Sequence, residues 1–99
     1  SIETLDIFDK AVSFQTDDQT LRNFLSGFIM VNNRLKNILE NYGVVQIDCL
    51  NKQFDPAFHS ALETVEKEGV ESNIVVEVVM TGYMYKDRVL RPAMVKVSK

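Results

Sequence analysis

The 99-residue chain has one cysteine, one histidine and no tryptophan. With Cys49 alone no intramolecular disulfide can form, which suits a reducing compartment. His59 and Cys49 together cannot make a zinc ligand set. No G-x-x-x-x-G-K-[ST] loop and no G-x-G-x-x-G turn occurs, so the chain is not expected to hold a nucleotide phosphate, or any cofactor, itself. No apolar run approaches the ~20 residues that span a bilayer, so no membrane association is expected. No signal or transit peptide is visible. Net charge is -3. A nucleic-acid partner is not expected of a chain without a basic excess. Internal repeats and low-complexity tracts are also missing.

What is present is an ordinary globular composition, 45% hydrophobic, with unevenly placed charge. Residues 54 to 78 hold six acidic side chains and one basic; residues 82 to 99 hold five basic and one acidic. The C-terminal end is thus a basic ribbon on an acidic protein. The chain begins at Ser1 inside a predicted helix, so an upstream segment is expected.

Hydrophobic periodicity divides the chain into a helical region, 1–43, and a β region, 44–99. Ile2, Leu5, Phe8 and Val12 predict a helix over residues 2 to 13. Thr16 and Gln19 have capping-box spacing ahead of a second helix over about residues 18 to 42, and Asp17 and Asp18 suit its positive dipole end. That helix carries Leu21, Phe24, Leu25, Phe28, Val31, Leu35, Ile38, Leu39 and Tyr42 in near-heptad spacing. Gly43 suits a left-handed C-cap. The stripe must be buried, since each large apolar side chain left in water forgoes about 1.5–3 kcal/mol. Either a second copy covers it, giving a four-helix bundle, or the β region of the same chain does. Heptad spacing favours the second copy. Gly27, inside the helix, costs about 1 kcal/mol relative to alanine, and close helix packing would account for it.

After Gly43 the residues favour strands: Val44 to Ile47, Ile74 to Met80 and Val89 to Val97. Tyr85 to Arg88 reads as a hairpin turn, and at Pro92 the last strand is expected to be an edge or to turn that position outward. Pro56 to Glu66 is ambiguous from its residues, and its composition permits a helix. In the Ile74 to Thr81 stretch, Ile74, Val76, Val78 and Met80 are expected in the core, with Val79 near solvent. His59 beside Asp55 could be imagined as a general base and its orienter, with Tyr83 in a small active site. The favoured reading is that His59 caps the Asp55-Pro56 turn, since no nucleophile motif is near. Met30, Met80, Met84 and Met94 read as core or interface filler.

One longer pattern remains. Phe54 to Leu62 reads F-D-P-A-F-H-S-A-L, and after nineteen residues Gly82 to Val97 reads G-Y-M-Y-K-D-R-V-L-R-P-A-M-V-K-V. These paired clusters resemble the C-terminal signature of GrpE proteins, the nucleotide exchange factors of DnaK-type heat-shock chaperones. The resemblance implies an α+β protein: a two-helix segment forming a dimeric four-helix bundle, then a small, mainly antiparallel β wing in which Pro56 to Glu66 is a turn leading into a strand. It implies a homodimer in which Leu21, Phe24, Leu25, Phe28, Val31, Leu35, Ile38 and Leu39 form the interface. It implies a non-enzymatic co-chaperone of protein folding and the stress response that binds a DnaK-type ATPase domain and promotes ADP release. Arg88, Val79, Val97, Gly27 and, less securely, Phe14 match the family's partner-binding positions. The compartment it implies is the bacterial cytoplasm, or the mitochondrial matrix or plastid if a targeting segment was removed. The rival reading is a structural dimerisation or protein-interaction module with no effect on nucleotide exchange.

Overall fold

The computed structural model describes residues 2–99. Two helices, α1 (Ile2–Val12) and α2 (Gln19–Asn41), precede six strands. The strands are β1 (Val44–Gln46), β2 (His59–Val65), β3 (Val75–Met80), β4 (Tyr83–Tyr85), β5 (Arg88–Arg91) and β6 (Ala93–Ser98). The architecture is α+β, and the chain divides into two compact units with the boundary between Tyr42 and Gly43.

In the helical unit Leu5 is the buried apolar residue. The start of α2 differs from the predicted capping box. Asp18 is the N-cap, and its Oδ1 accepts from the backbone N–H of Thr20 at 2.9 Å and of Leu21 at 3.2 Å. Thr16 Oγ1 accepts the Asp18 N–H instead, and Gln19 Nε2 donates to Asn23 Oδ1. A carboxylate is the stronger acceptor for free helix N–H groups, so the residue adjoining the helix takes the role. At the other end the chain leaves α2 through Gly43 at φ +91°, the left-handed conformation predicted for it.

The β unit holds two three-stranded sheets, ordered β1-β4-β5 and β2-β6-β3. All pairs are antiparallel except β2 with β6, which is parallel. The predicted strand from Val89 to Val97 is in fact two strands in different sheets. Pro92 stands between them, and a residue that cannot donate to a ladder marks where the chain changes sheet. Tyr83–Tyr85 is a strand of its own, joined to β5 by a turn with Lys86 at φ 52°. The predicted turn and strand after Pro56 are present: Phe58 and His59 both donate to Asp55 O, and β2 follows.

Val75, Ala93, Val95, Val97 and Cys49 form the core of the unit, with Ile47, Phe54 and Val78 packed on it. The expected alternation in β3 is therefore wrong at Val75. The register explains it. Val75 pairs with Val97 but Glu77 with Lys96, and Val78 pairs with Val95 but Met80 with Met94. Val76 and Val79 are the extra residues of two bulges, and each bulge reverses the faces. Burial raises the Cys49 thiol above its ordinary range; the Asp48 charge adds to this and Lys52 opposes it. Gly82 permits a close approach of backbone to backbone: a Cβ there would lie 2.3 Å from Ala93 N. Ser98 Oγ accepts from Ile74 N and donates to Glu71 O, which ties the last strand to the loop before β3.

Candidate functional site: a helical seam and a wing face

Each unit presents one surface that its own residues leave open. On α2, Leu25, Asn32 and Leu39 recur at seven-residue intervals, and Asn32 Nδ2 donates to Asp9 Oδ1 at 2.8 Å. That row faces α1. Lys36 Nζ reaches the same oxygen at 2.8 Å, and the Phe8 and Phe28 rings lie 6.4 Å apart. A second row is offset from the first. It runs Leu21, Phe24, Phe28, Val31, Leu35, Ile38 and Tyr42, alternating steps of three and four. All but half-buried Leu35 are exposed, Phe24 at 56% and Val31 at 57%. Of the eight predicted interface residues, Leu25 and Leu39 thus sit on the α1 row, and the other six form the open row.

Gly27 lies beside that open row. A Cβ at Gly27 would meet nothing within 4 Å, so packing within the chain does not explain this glycine. It borders a shallow apolar groove with Met30, Val31 and Arg34. Phe14 is exposed in the connection between the helices and lines a separate groove with Val12, Thr16, Arg22 and Ile29.

The wing places its three predicted contact residues differently. Arg88 opens β5 and is exposed; no hydrogen bond or ion pair engages it among the described residues. Val79 is 46% exposed, turned outward as the extra residue of its bulge. Val97 is only 4% exposed and belongs to the core. Its side chain supports the sheet rather than forming surface. Arg88 and Val79 lie in different sheets.

Two more apolar residues are exposed that the sequence reading passed over. Leu62 is the extra residue of the β2 bulge and Leu90 that of the β5 bulge. Alternation cannot flag them, because a bulge is where alternation fails. Leu90 shares its strand with Arg88.

The basic ribbon is partly consumed internally. Lys96 Nζ lies 3.4 Å from Glu63 and 3.6 Å from Glu77, across three adjacent strands. The Glu77 charge first, and then the hydrogen bond and charge of Glu63, hold the Lys96 ammonium above the usual lysine range. Arg91 donates from Nε and from a terminal nitrogen to Thr81 O, at 2.9 and 2.6 Å, and stacks 5.6 Å over the Tyr83 ring. Arg88 is left to solvent.

His59 does cap the turn. Its Nδ1 accepts the Asp55 N–H at 2.9 Å, while Asp55 Oδ1 accepts from Ala57 N. The imagined base-and-orienter pair does not form. Among the described residues no cluster of three His, Cys, Asp or Glu could hold a metal ion. No helix there is long and apolar enough to cross a membrane.

The described residues thus form a helical hairpin with an open heptad row, followed by a small bulged β unit. The family model described as GrpE matches residues 2–99. Protein GrpE of Acholeplasma laidlawii is 45% identical over 92 residues, which is 93% of this chain and 48% of that protein. Protein GrpE of Geobacillus kaustophilus is 45% identical over 98 residues, 99% of this chain and 46% of the relative. That of Bacillus subtilis is 40% identical over 98 residues, covering 52% of its own length. The chain belongs to the GrpE family, and it spans about half the length of these curated relatives.

Proposed function

We propose that two copies of this chain pair through the open row of α2, and that the paired molecule acts as a nucleotide exchange factor for a DnaK-type chaperone. The fold supports the first part. Six large apolar side chains in heptad register are not left in water without a partner, and a second identical row is the matching surface. Family membership supports the second part, and the bacterial relatives favour the bacterial cytoplasm as its setting.

The mechanism needs no contact with nucleotide. A protein that binds the ATPase domain more tightly in a conformation that holds ADP poorly must, by linkage, weaken ADP binding. Arg88 and Val79 are the wing residues suited to that contact, with Leu90 beside Arg88. A guanidinium with an exposed aliphatic residue on its own strand can pair both nitrogens with a partner carboxylate while the apolar neighbour excludes water. Gly27 and Phe14 are assigned to the same partner from the helical side. Val97 acts from beneath, by holding the sheet.

The observation that carries the wing assignment is the exposed Arg88, whose side chain has no hydrogen bond or ion pair among the described residues, in a ribbon whose Arg91 and Lys96 are engaged. The test is release of fluorescent ADP from a DnaK-type ATPase domain. The parent chain should accelerate release. Arg88→Glu should weaken the complex by about 2 kcal/mol, roughly thirtyfold, with circular dichroism and particle mass unchanged. The deficit should change with salt, because part of it is long-range steering. If Arg88→Glu accelerates release as well as the parent, the wing face is wrongly assigned. If the parent itself has no effect, the chain is a dimerisation module of another kind.

A further inference from the structure

The row of α2 that faces α1 is apolar at Leu25 and Leu39 and polar at Asn32, with the Phe28 ring at its border against Phe8. Asn32 is 4% exposed. A carboxylate only accepts, so the Asn32 amide nitrogen is the atom that must face Asp9. Its carbonyl Oδ1 is thereby turned away, and it has no hydrogen-bond partner among the described residues. One turn further, Lys36 donates to the same Asp9 oxygen. Three polar groups thus converge in the middle of a two-helix interface and leave one buried acceptor unused.

This arrangement is not the most stable filling of the site. A buried acceptor without a donor costs free energy, and a part-buried ion pair can be replaced by packed apolar groups without loss. Its physical merit is discrimination. An apolar seam permits neighbouring registers of similar energy, whereas a single polar position within it permits one. A slip of one helical turn parts Asp9 from Asn32 or from Lys36 and sets the carboxylate beside Phe28 or Glu40.

We propose that Asp9, Asn32 and Lys36 form a register lock that fixes which residues of α2 are covered by α1 and which remain in the open row. The lock is a specificity device obtained at the expense of stability. Its consequence for assembly rests on the dimer reading above; the register within the hairpin does not.

Asn32→Leu separates the two quantities. The variant should melt about 4–8 °C higher than the parent, as expected for removing one orphaned polar group from a chain of this size. Nuclear Overhauser contacts between the Phe8 and Phe28 rings, a single set in the parent, should become multiple or broadened. Sedimentation should turn one association state into a mixture. Asp9→Leu alone, which strands the Asn32 amide and Lys36, should melt lower than the parent. The triple variant Asp9→Leu, Asn32→Leu, Lys36→Leu should melt higher and show the same heterogeneity. A single ring-contact set and a single association state in Asn32→Leu and in the triple variant would overturn the lock. A monomeric parent would remove the dimer reading, and the ring contacts would still decide the register.

Discussion

The two units of this chain bury their apolar residues in opposite ways. The β unit places Val75, Ala93 and Val95 entirely out of water and closes Cys49 and Val97 around them. The helical unit buries Leu5 and leaves Phe24, Phe28, Val31 and Ile38 exposed. Met30, at 70%, is among the most exposed large apolar residues described. Fewer than sixty residues from Gly43 onward thus make a core of their own, whereas forty-odd residues in two helices do not. On the proposed pairing, a unit of that second kind is completed by association, and its stability then depends on concentration. The first kind can present a rigid surface to a partner whether or not the helices are paired.

The largest effect expected from this contrast is at the seam. Leu35→Asp puts a carboxylate into the open row, and in the proposed pairing an uncompensated buried charge costs several kcal/mol, about 3–5. The helical signal in circular dichroism should collapse together with the dimer, while the near-ultraviolet signal of the β unit persists. Simultaneous loss of both would show that the units are not separable. Next comes Gly82→Ala, which drives a Cβ into the Ala93 backbone. Overpacking against backbone should destabilise the β unit by about 3 kcal/mol in urea titration and leave helix content unchanged.

Smaller again is Asp18→Ala. Loss of the cap should lower helix stability by about 1 kcal/mol, read as a shift of the helical transition only. The smallest effect is alkaline. Lys96 and Cys49 both have folded values raised above their ordinary 10.5 and 9.0. A raised value gives stability that is full below the unfolded value and lost as pH rises through the folded one. The β unit should therefore weaken gradually as pH rises past about 9, and Glu77→Gln should blunt the part that comes from Lys96.

Much of this contrast was legible in the residues. The heptad row from Leu21 to Tyr42 and the helix stop at Gly43 follow from periodicity and backbone preference, which are local; the turn before His59 came only with the family signature, because the composition of Pro56 to Glu66 also permits a helix. Three features were not legible, and each depends on pairing between distant segments. The bulges at Val76 and Val79 reverse which β3 residues are buried, and only the β6 partner defines a bulge. Pro92 suits an edge strand or an outward-turned position, yet it separates strands of two sheets, since each of these satisfies a missing N–H. The Asp9, Asn32 and Lys36 cluster joins positions more than twenty residues apart, and polar residues on helices ordinarily read as solvated. The wing signature located Arg88 and Val79 on the surface, whereas Val97 lies in the core because its strand is central to its sheet.

The central claim is that the helical unit is half of an interface and the β unit is whole. Sedimentation equilibrium of the parent chain tests it most directly. The account predicts a particle of about twice the 11.3 kDa chain mass, dissociating on dilution with parallel loss of helical signal. A monomer of 11.3 kDa that keeps both helices at every concentration would contradict it.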